Sequence, residues 1–174
     1  MTGPPGIEIE RKFVVAELPE PLPDGQQIEQ GYLAIAPDGV EVRIRRRDGR
    51  ATMTVKSGPA HVRVEEELDI DDRRFEALWA LTEGRRITKT RHLVPLGDGL
   101  AAELDVFAGP HEGLLLAEVE FPSTEASAAF VPPAWLGRDV TGDPRYANQS
   151  LALDRLEPMK ASATAKAKRH EKRA

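Results

Sequence analysis

The sequence predicts a mainly β (α+β) fold, a closed eight-stranded antiparallel β-barrel with a charged lumen and a few flanking helices. Three observations predict it. Apolar and charged residues alternate with period two along most of the chain, short turn signals separate the alternating runs, and charges come as same-sign doublets two residues apart.

The opening run, residues 7–13, sets the pattern. Ile7, Ile9 and Phe13 share one face, and Glu8, Glu10 and Lys12 share the other. Seven further strands are predicted over 27–35, 40–47, 51–56, 62–70, 87–96, 100–107 and 114–121. Asp38-Gly39, Asp48-Gly49, Ser57-Gly58-Pro59, Gly97-Asp98-Gly99 and Gly109-Pro110 punctuate them as hairpin turns do. Short connections imply mostly antiparallel neighbours. Three helices fit between and after the strands. Asp71-Asp72 can cap one that carries Phe75, Leu78, Trp79 and Leu81 and ends at Gly84. Ser123 or Thr124 can open a second, through Ala129, stopped by Pro132-Pro133. The third covers 148–156 with Leu151 and Leu156 as anchors. Trp79 and Trp135 read as packing residues.

The polar faces decide the architecture. Glu8/Glu10, Arg43/Arg45, Glu65/Glu67, Lys89/Arg91, Glu103/Asp105 and Glu118/Glu120 are doublets, with Lys12, Lys56 and Arg63 in phase. Each doublet sets two like charges about 7 Å apart on one side of one strand. A solvated outer sheet face would mix signs. The opposite faces are apolar: Val40, Val42 and Ile44; Val64, Leu68 and Ile70; Ala102, Leu104 and Val106; Leu115, Val119 and Phe121. A barrel with the charged face inward accounts for both sides. Seven cations then meet eight carboxylates in one lumen. Such a space suits a small polyanion on the cations and hard cations on the carboxylates, and oxygen-only ligands favour Mg²⁺ or Mn²⁺ over zinc. Several Arg and Lys on separate strands fit a chain of phosphates better than a single one.

Composition excludes other classes. With 174 residues the chain suits one domain, 1–158, followed by a basic, Ala-rich tail, 159–174. No cysteine is present, which removes thiol catalysis, disulfides and Cys-based zinc sites. The net charge of −5 hides a tail of about +5 and a body of about −10, so the body lacks the basic face that nucleic acid requires. The tail is expected to be a solvated extension. No apolar run reaches membrane-spanning length, and Met1 to Gly6 lacks the features of a secretory leader, so no membrane partner and a cytoplasmic location are expected. His61, His92, His111 and His170 show no ligand spacing and read as ordinary surface residues. Size is compatible with a monomer or a homodimer. There is no Walker-type phosphate loop and no His-Glu-x-x-His motif.

Taken in order, these residues resemble a known family. Glu8-x-Glu10-x-Lys12 resembles the ExExK signature of the CYTH domain, the triphosphate tunnel metalloenzymes. Arg43-x-Arg45, Lys56, Glu65-x-Glu67, Lys89-x-Arg91, Glu103-x-Asp105 and Glu118-x-Glu120 follow in sequence. The stretch from Asp139 through Thr141, Asp143 and Arg145 to Asn148 resembles the closing segment of bacterial members. The resemblance runs from about Ile7 to Leu156. It implies a tunnel that binds a triphosphate, with Glu8, Glu10, Glu118 and Glu120 holding a divalent metal. Lys12, Arg43, Arg45, Lys56, Lys89 and Arg91 would clamp phosphates. Glu65, Glu67 and Asp105 would serve catalysis, through a second metal or the attacking water. Phosphoryl transfer needs mostly positioning and charge neutralisation, which such a lumen supplies. Hydrolysis of inorganic triphosphate is the leading expectation, because only Tyr32, in phase with Gln30, offers an aromatic face inside for a base to stack on. The alternatives are a class IV-type adenylate cyclase, a nucleotide or thiamine triphosphatase, and a non-catalytic polyphosphate-binding module.

Overall fold

A computed structural model describes residues 9–57 and 64–153. The elements in chain order are β1 (Ile9–Val14), β2 (Gly25–Ile35), β3 (Glu41–Arg47), β4 (Arg50–Ser57), β5 (Val64–Ile70), α1 (Asp72–Trp79), β6 (Arg86–Gly97), β7 (Leu100–Phe107), β8 (Leu115–Phe121), α2 (Thr124–Ala129), β9 (Arg138–Asp139) and α3 (Asn148–Ala152). All eight predicted strands form, and all neighbours pair antiparallel in the order β5-β4-β3-β2-β6-β7-β8-β1-β9. Between β3 and β4, Asp48 and Gly49 both have positive φ, 46° and 82°. That is the backbone of a two-residue type I′ hairpin, and Asp98-Gly99 repeats it between β6 and β7.

The expected closed barrel needs correction. Among the described residues the sheet is open, with β5 at one edge and β1 followed by the two-residue β9 at the other. The outer edge of β1 is occupied by the later chain instead. Val140 N–H donates to Lys12 C=O at 2.8 Å, and Lys12 N–H donates to Thr141 Oγ1 at 3.0 Å. A strand whose edge groups are already bonded this way cannot also pair with β5. On β5, Leu68 belongs to the face predicted to be apolar, yet it is 53% exposed.

The sheet nevertheless curls strongly, because one cavity takes lining residues from all eight long strands. The convex side is apolar and covered in two patches. Phe75 of α1, with no exposed surface, packs on Ile44 and Ala51, and its ring stacks on Trp79 at 5.4 Å. Asp71 caps this helix by accepting from Arg74 N–H. Beneath α2 and residues Ala134–Leu136 lies the second patch, with Phe13, Leu104, Val119 and Phe121 buried against Phe130 and Trp135. Both tryptophans are packing residues, as expected. Ser123 caps α2 through Ala126 N–H.

The concave face is not charged from end to end. Two residues beyond the charges of β1, β6, β7 and β8 lie Val14, Ile87, Phe107 and Leu116, and Tyr32 lies two beyond Gln30 on β2; all are buried in one cluster with Leu114. Val140, Tyr146, Leu151 and Ala152 of the later chain pack into the same cluster and plug that end of the cup. Two histidines also depart from expectation. His111 is buried, with Nε2 2.8 Å from Leu151 C=O, and half-buried His92 places Nδ1 2.7 Å from Pro23 C=O. Each tethers a loop or chain segment to the sheet. His61 and His170 lie outside the described residues, as does the tail expected at 159–174.

Candidate active site

The charged side chains of the concave face gather around a cavity of about 280 Å³. It is lined by Glu10, Arg43, Arg45, Lys56, Glu65, Lys89, Arg91, Glu103, Glu118 and Glu120, together with Ile28, Gln30, Arg47 and Asn148. Period-two alternation delivers each of these to one face, and the curl brings the faces together. Lys12 reaches it through Glu118, since Nζ donates to Glu118 Oε1 at 2.7 Å and to Tyr146 C=O at 3.2 Å. Of the sequence-predicted site residues, Glu8 lies outside the described residues, as does Arg63. Glu67 and Asp105 flank the cavity, each bonded to one of its lining arginines.

On β6, β7 and β8 the charges interlock. Lys89 and Asp105, 2% and 4% exposed, meet at 2.5 Å. Arg91 holds the same carboxylate with two parallel bonds of 2.7 Å, from Nε to Oδ1 and from Nη2 to Oδ2. It also contacts Glu103, and Glu118 at 3.4 Å. Register explains the pairing, because Arg91 sits directly opposite Asp105. Burial disfavours the Asp105 carboxylate, but Lys89 and Arg91 outweigh it and hold its pKa below the ordinary range. Glu118 is depressed likewise, with Lys12 outweighing burial. For Lys89 burial wins over Asp105 and the pKa falls. Arg91 moves the other way, since the bonds and charge of Asp105 overcome its burial. Asp105 therefore reads as the brace that aims Lys89 and Arg91, a weak base with both oxygens engaged.

The β3–β5 side is looser. Arg45 Nη2 lies 3.3 Å from Glu67 Oε2 and Arg43 Nη2 3.7 Å from Glu65 Oε1, while Lys56 Nζ reaches Glu65 Oε2 at 2.7 Å. Both glutamates are over a third exposed. Arg43 Nε is buried with no hydrogen-bond partner. Burial and neighbouring Arg43 lower the pKa of Arg45. A buried donor without an acceptor and arginines crowded against each other are what an anion-binding site looks like before its anion arrives.

Like charges also face each other across strands. Glu10 stands opposite Glu120, and Glu103 opposite Glu118. Such pairs repel. All four are oxygen donors, so a hard cation fits their chemistry. Among the described residues, however, no three acidic or histidine side chains form a ready-made metal cluster.

Several contributors escape the doublet pattern. Gln30 is buried and donates from Nε2 to Tyr32 Oη at 2.8 Å, and Thr54 Oγ1 donates to Glu67 at 3.2 Å. Both are in phase with the doublets but uncharged. Asn148 opens α3 and accepts from Lys89 Nζ at 3.2 Å through Oδ1. It comes from outside the strands, where periodicity is silent.

No family model matches the chain. It is 49% identical over 146 residues to an inorganic triphosphatase of Nitrosomonas europaea, covering 84% of this chain and 97% of that protein. It is 37% identical over 150 residues to an inorganic triphosphatase of Acetivibrio thermocellus, covering 84% of this chain and 93% of that protein. A crystal structure of an inorganic triphosphatase superposes with a TM-score of 0.73 at 46% identity, covering 88% of this chain and 97% of that one.

Proposed function

Because the chain belongs to the inorganic triphosphatase family, we propose that it hydrolyses inorganic triphosphate to pyrophosphate and phosphate, as a triphosphate tunnel metalloenzyme of the CYTH type. One observation carries the reading. Cations from three strands, Arg43, Arg45, Lys56, Lys89 and Arg91, line one small cavity that offers no stacking platform. Tyr32, the aromatic expected to face in, is buried in the apolar plug with its hydroxyl against Gln30.

In this reading the loosely held arginines of β3 and Lys56 exchange their glutamate partners for phosphate oxygens. Arg43 and Arg45 supply forked donors, and the braced Lys89 and Arg91 meet the anion from the other wall. Lys12 neutralises further charge. Glu10, Glu118 and Glu120, with Glu8, would hold Mg²⁺ or Mn²⁺, which would offset charge building on the phosphate oxygens. Water attacks a terminal phosphorus, the anhydride P–O bond breaks, and pyrophosphate leaves. Glu65 or Glu67, half-exposed and beside the β3 arginines, accepts the water proton and passes it to solvent. Inside the described residues no helix is long and apolar enough to cross a membrane.

The test is phosphate and pyrophosphate release from triphosphate, ATP and thiamine triphosphate, each with Mg²⁺, with Mn²⁺ and with chelator. Triphosphate is expected to exceed ATP in kcat/KM by roughly tenfold or more, since adenosine gains no contact. Glu10→Gln is expected to abolish turnover and leave the fold intact. Equal use of ATP, or a cyclic nucleotide product, would replace this reading with a nucleotidase or cyclase. Full activity in chelator would remove the metal from it.

A further inference from the structure

The inward arginines of β3 do not stop at the central cavity. Arg43, Arg45 and Arg47 share one face and span roughly 13 Å along the strand. Arg43 lies at the plugged end, opposite Tyr32, and Arg47 lies toward the open end, opposite Ile28. Arg45 and Arg47 also line a second, smaller cavity of about 120 Å³, completed by Arg50, Thr52 and Glu67. Register places Thr52 directly opposite Arg45 and Arg50 directly opposite Arg47. The two cavities therefore adjoin at a pair of shared arginines, Arg45 and Arg47.

Three features point this second cavity at an anion. Three guanidinium groups face one carboxylate, that of Glu67, which Arg45 and Thr54 already engage. Thr52 is 5% exposed, and its hydroxyl is buried with no hydrogen-bond partner. An orphaned hydroxyl between arginines is costly unless an acceptor visits it. Finally, among the described residues Arg50 is held only by an exposed pair with Asp69 at 2.8 Å, both side chains about 70% accessible. Such a pair is weak enough to exchange for a ligand.

Resting on the triphosphatase reading, we propose that Arg47, Arg50 and Thr52 form a subsite for a fourth phosphate, so that linear polyphosphates longer than three units bind more tightly than triphosphate. The fourth phosphate follows the third past Arg45 toward the open end. There it accepts from the Thr52 hydroxyl and from the guanidinium of Arg50. ATP presents a neutral ribose at the corresponding place and gains nothing from these donors.

The experiment compares triphosphate, tetrapolyphosphate and ATP in the wild type, Thr52→Val and Arg50→Gln, reading KM from phosphate release and the melting-temperature shift with each anion. Neither substituted residue lines the central cavity, and Thr52→Val keeps the side-chain shape. In the wild type, KM for tetrapolyphosphate is expected to be about tenfold below that for triphosphate. Both variants should erase most of that advantage and leave triphosphate kinetics unchanged. Equal KM for the two anions in the wild type would overturn the subsite, as would an advantage that survives both substitutions. An equal gain for ATP would show that charge is not what is read there, and would also overturn it. If triphosphate itself is neither hydrolysed nor stabilising, the triphosphatase reading falls, and this inference with it.

Discussion

The two walls of the cup hold similar charges in opposite ways. On β6–β8, Lys89 and Asp105 are buried, Arg91 is largely so, and all three are locked by short, partly bidentate bonds. On β3–β5, arginines meet half-exposed glutamates at 3.3–3.7 Å, and Arg43 keeps an unpartnered donor. Buried pairs are costly to break and contribute little net stability, whereas exposed pairs are nearly free to rearrange. The difference teaches a division of labour. One wall is fixed before the substrate arrives, and the other closes on it.

Breaking the fixed wall should have the largest effect. Asp105→Asn leaves Lys89 and Arg91 buried and under-compensated, at a cost of about 3–5 kcal/mol in chemical denaturation. The matching change on the loose wall, Glu67→Gln, should cost under about 1 kcal/mol. Equal losses would dissolve the contrast. Next comes Arg45→Gln, expected to lower kcat/KM about a hundredfold while stability stays near wild type. A fall in stability of the Asp105→Asn size would place Arg45 in the fixed set. Asn148→Ala sharpens the comparison at Lys89. Removing its amide acceptor should lower kcat/KM about tenfold. Because burial already lowers the Lys89 pKa, losing that acceptor lowers it further. The ammonium is then lost at lower pH, so the alkaline limb of kcat/KM moves toward acid, and Asn148→Asp should move it back. A uniform loss with an unmoved limb would make Asn148 merely structural.

The smallest effect lies in acid. The folded pKa values of Asp105 and Glu118 are depressed, so their contribution to stability is complete above the ordinary carboxylate range. It is lost as pH falls through their folded values, from about pH 5 downward. Denaturation midpoints in Asp105→Asn should depend less on pH in that window than in the wild type. A parallel dependence would assign the acid sensitivity elsewhere.

Much of this was legible in the sequence. Period-two alternation located all eight strands, and the doublets named nearly every charged residue around the cavity. Asp71 and Ser123 announced their helices through capping. What the doublets left out is instructive. Alternation says which face a residue takes, not how far the charge continues along it. The plug was available as the residue two beyond the charges of β1, β6, β7 and β8 (Val14, Ile87, Phe107 and Leu116) and, for Tyr32, two beyond Gln30. Pairing was not, because the partner of Arg91 depends on the register of separate strands. Nor was the open seam, since the groups that cover β1 belong to Val140 and Thr141, far along the chain. The Lys89 contact of Asn148 was hidden for the same reason.

The position of β1 has a consequence for how the molecule is made. Its partner strand is β8, with Ile9 opposite Phe121, and its far edge waits for Val140. During synthesis β2 to β5 and α1 can assemble locally around Ile44, Ala51 and Phe75 as they emerge. β1 must stay unpaired until more than two-thirds of the protein has been translated. Such long-range pairing makes folding slow. Lys12 and Glu10 thus join the cup late, and the facing carboxylates Glu10 and Glu120 meet only after the cations of β3, β4 and β6 have emerged.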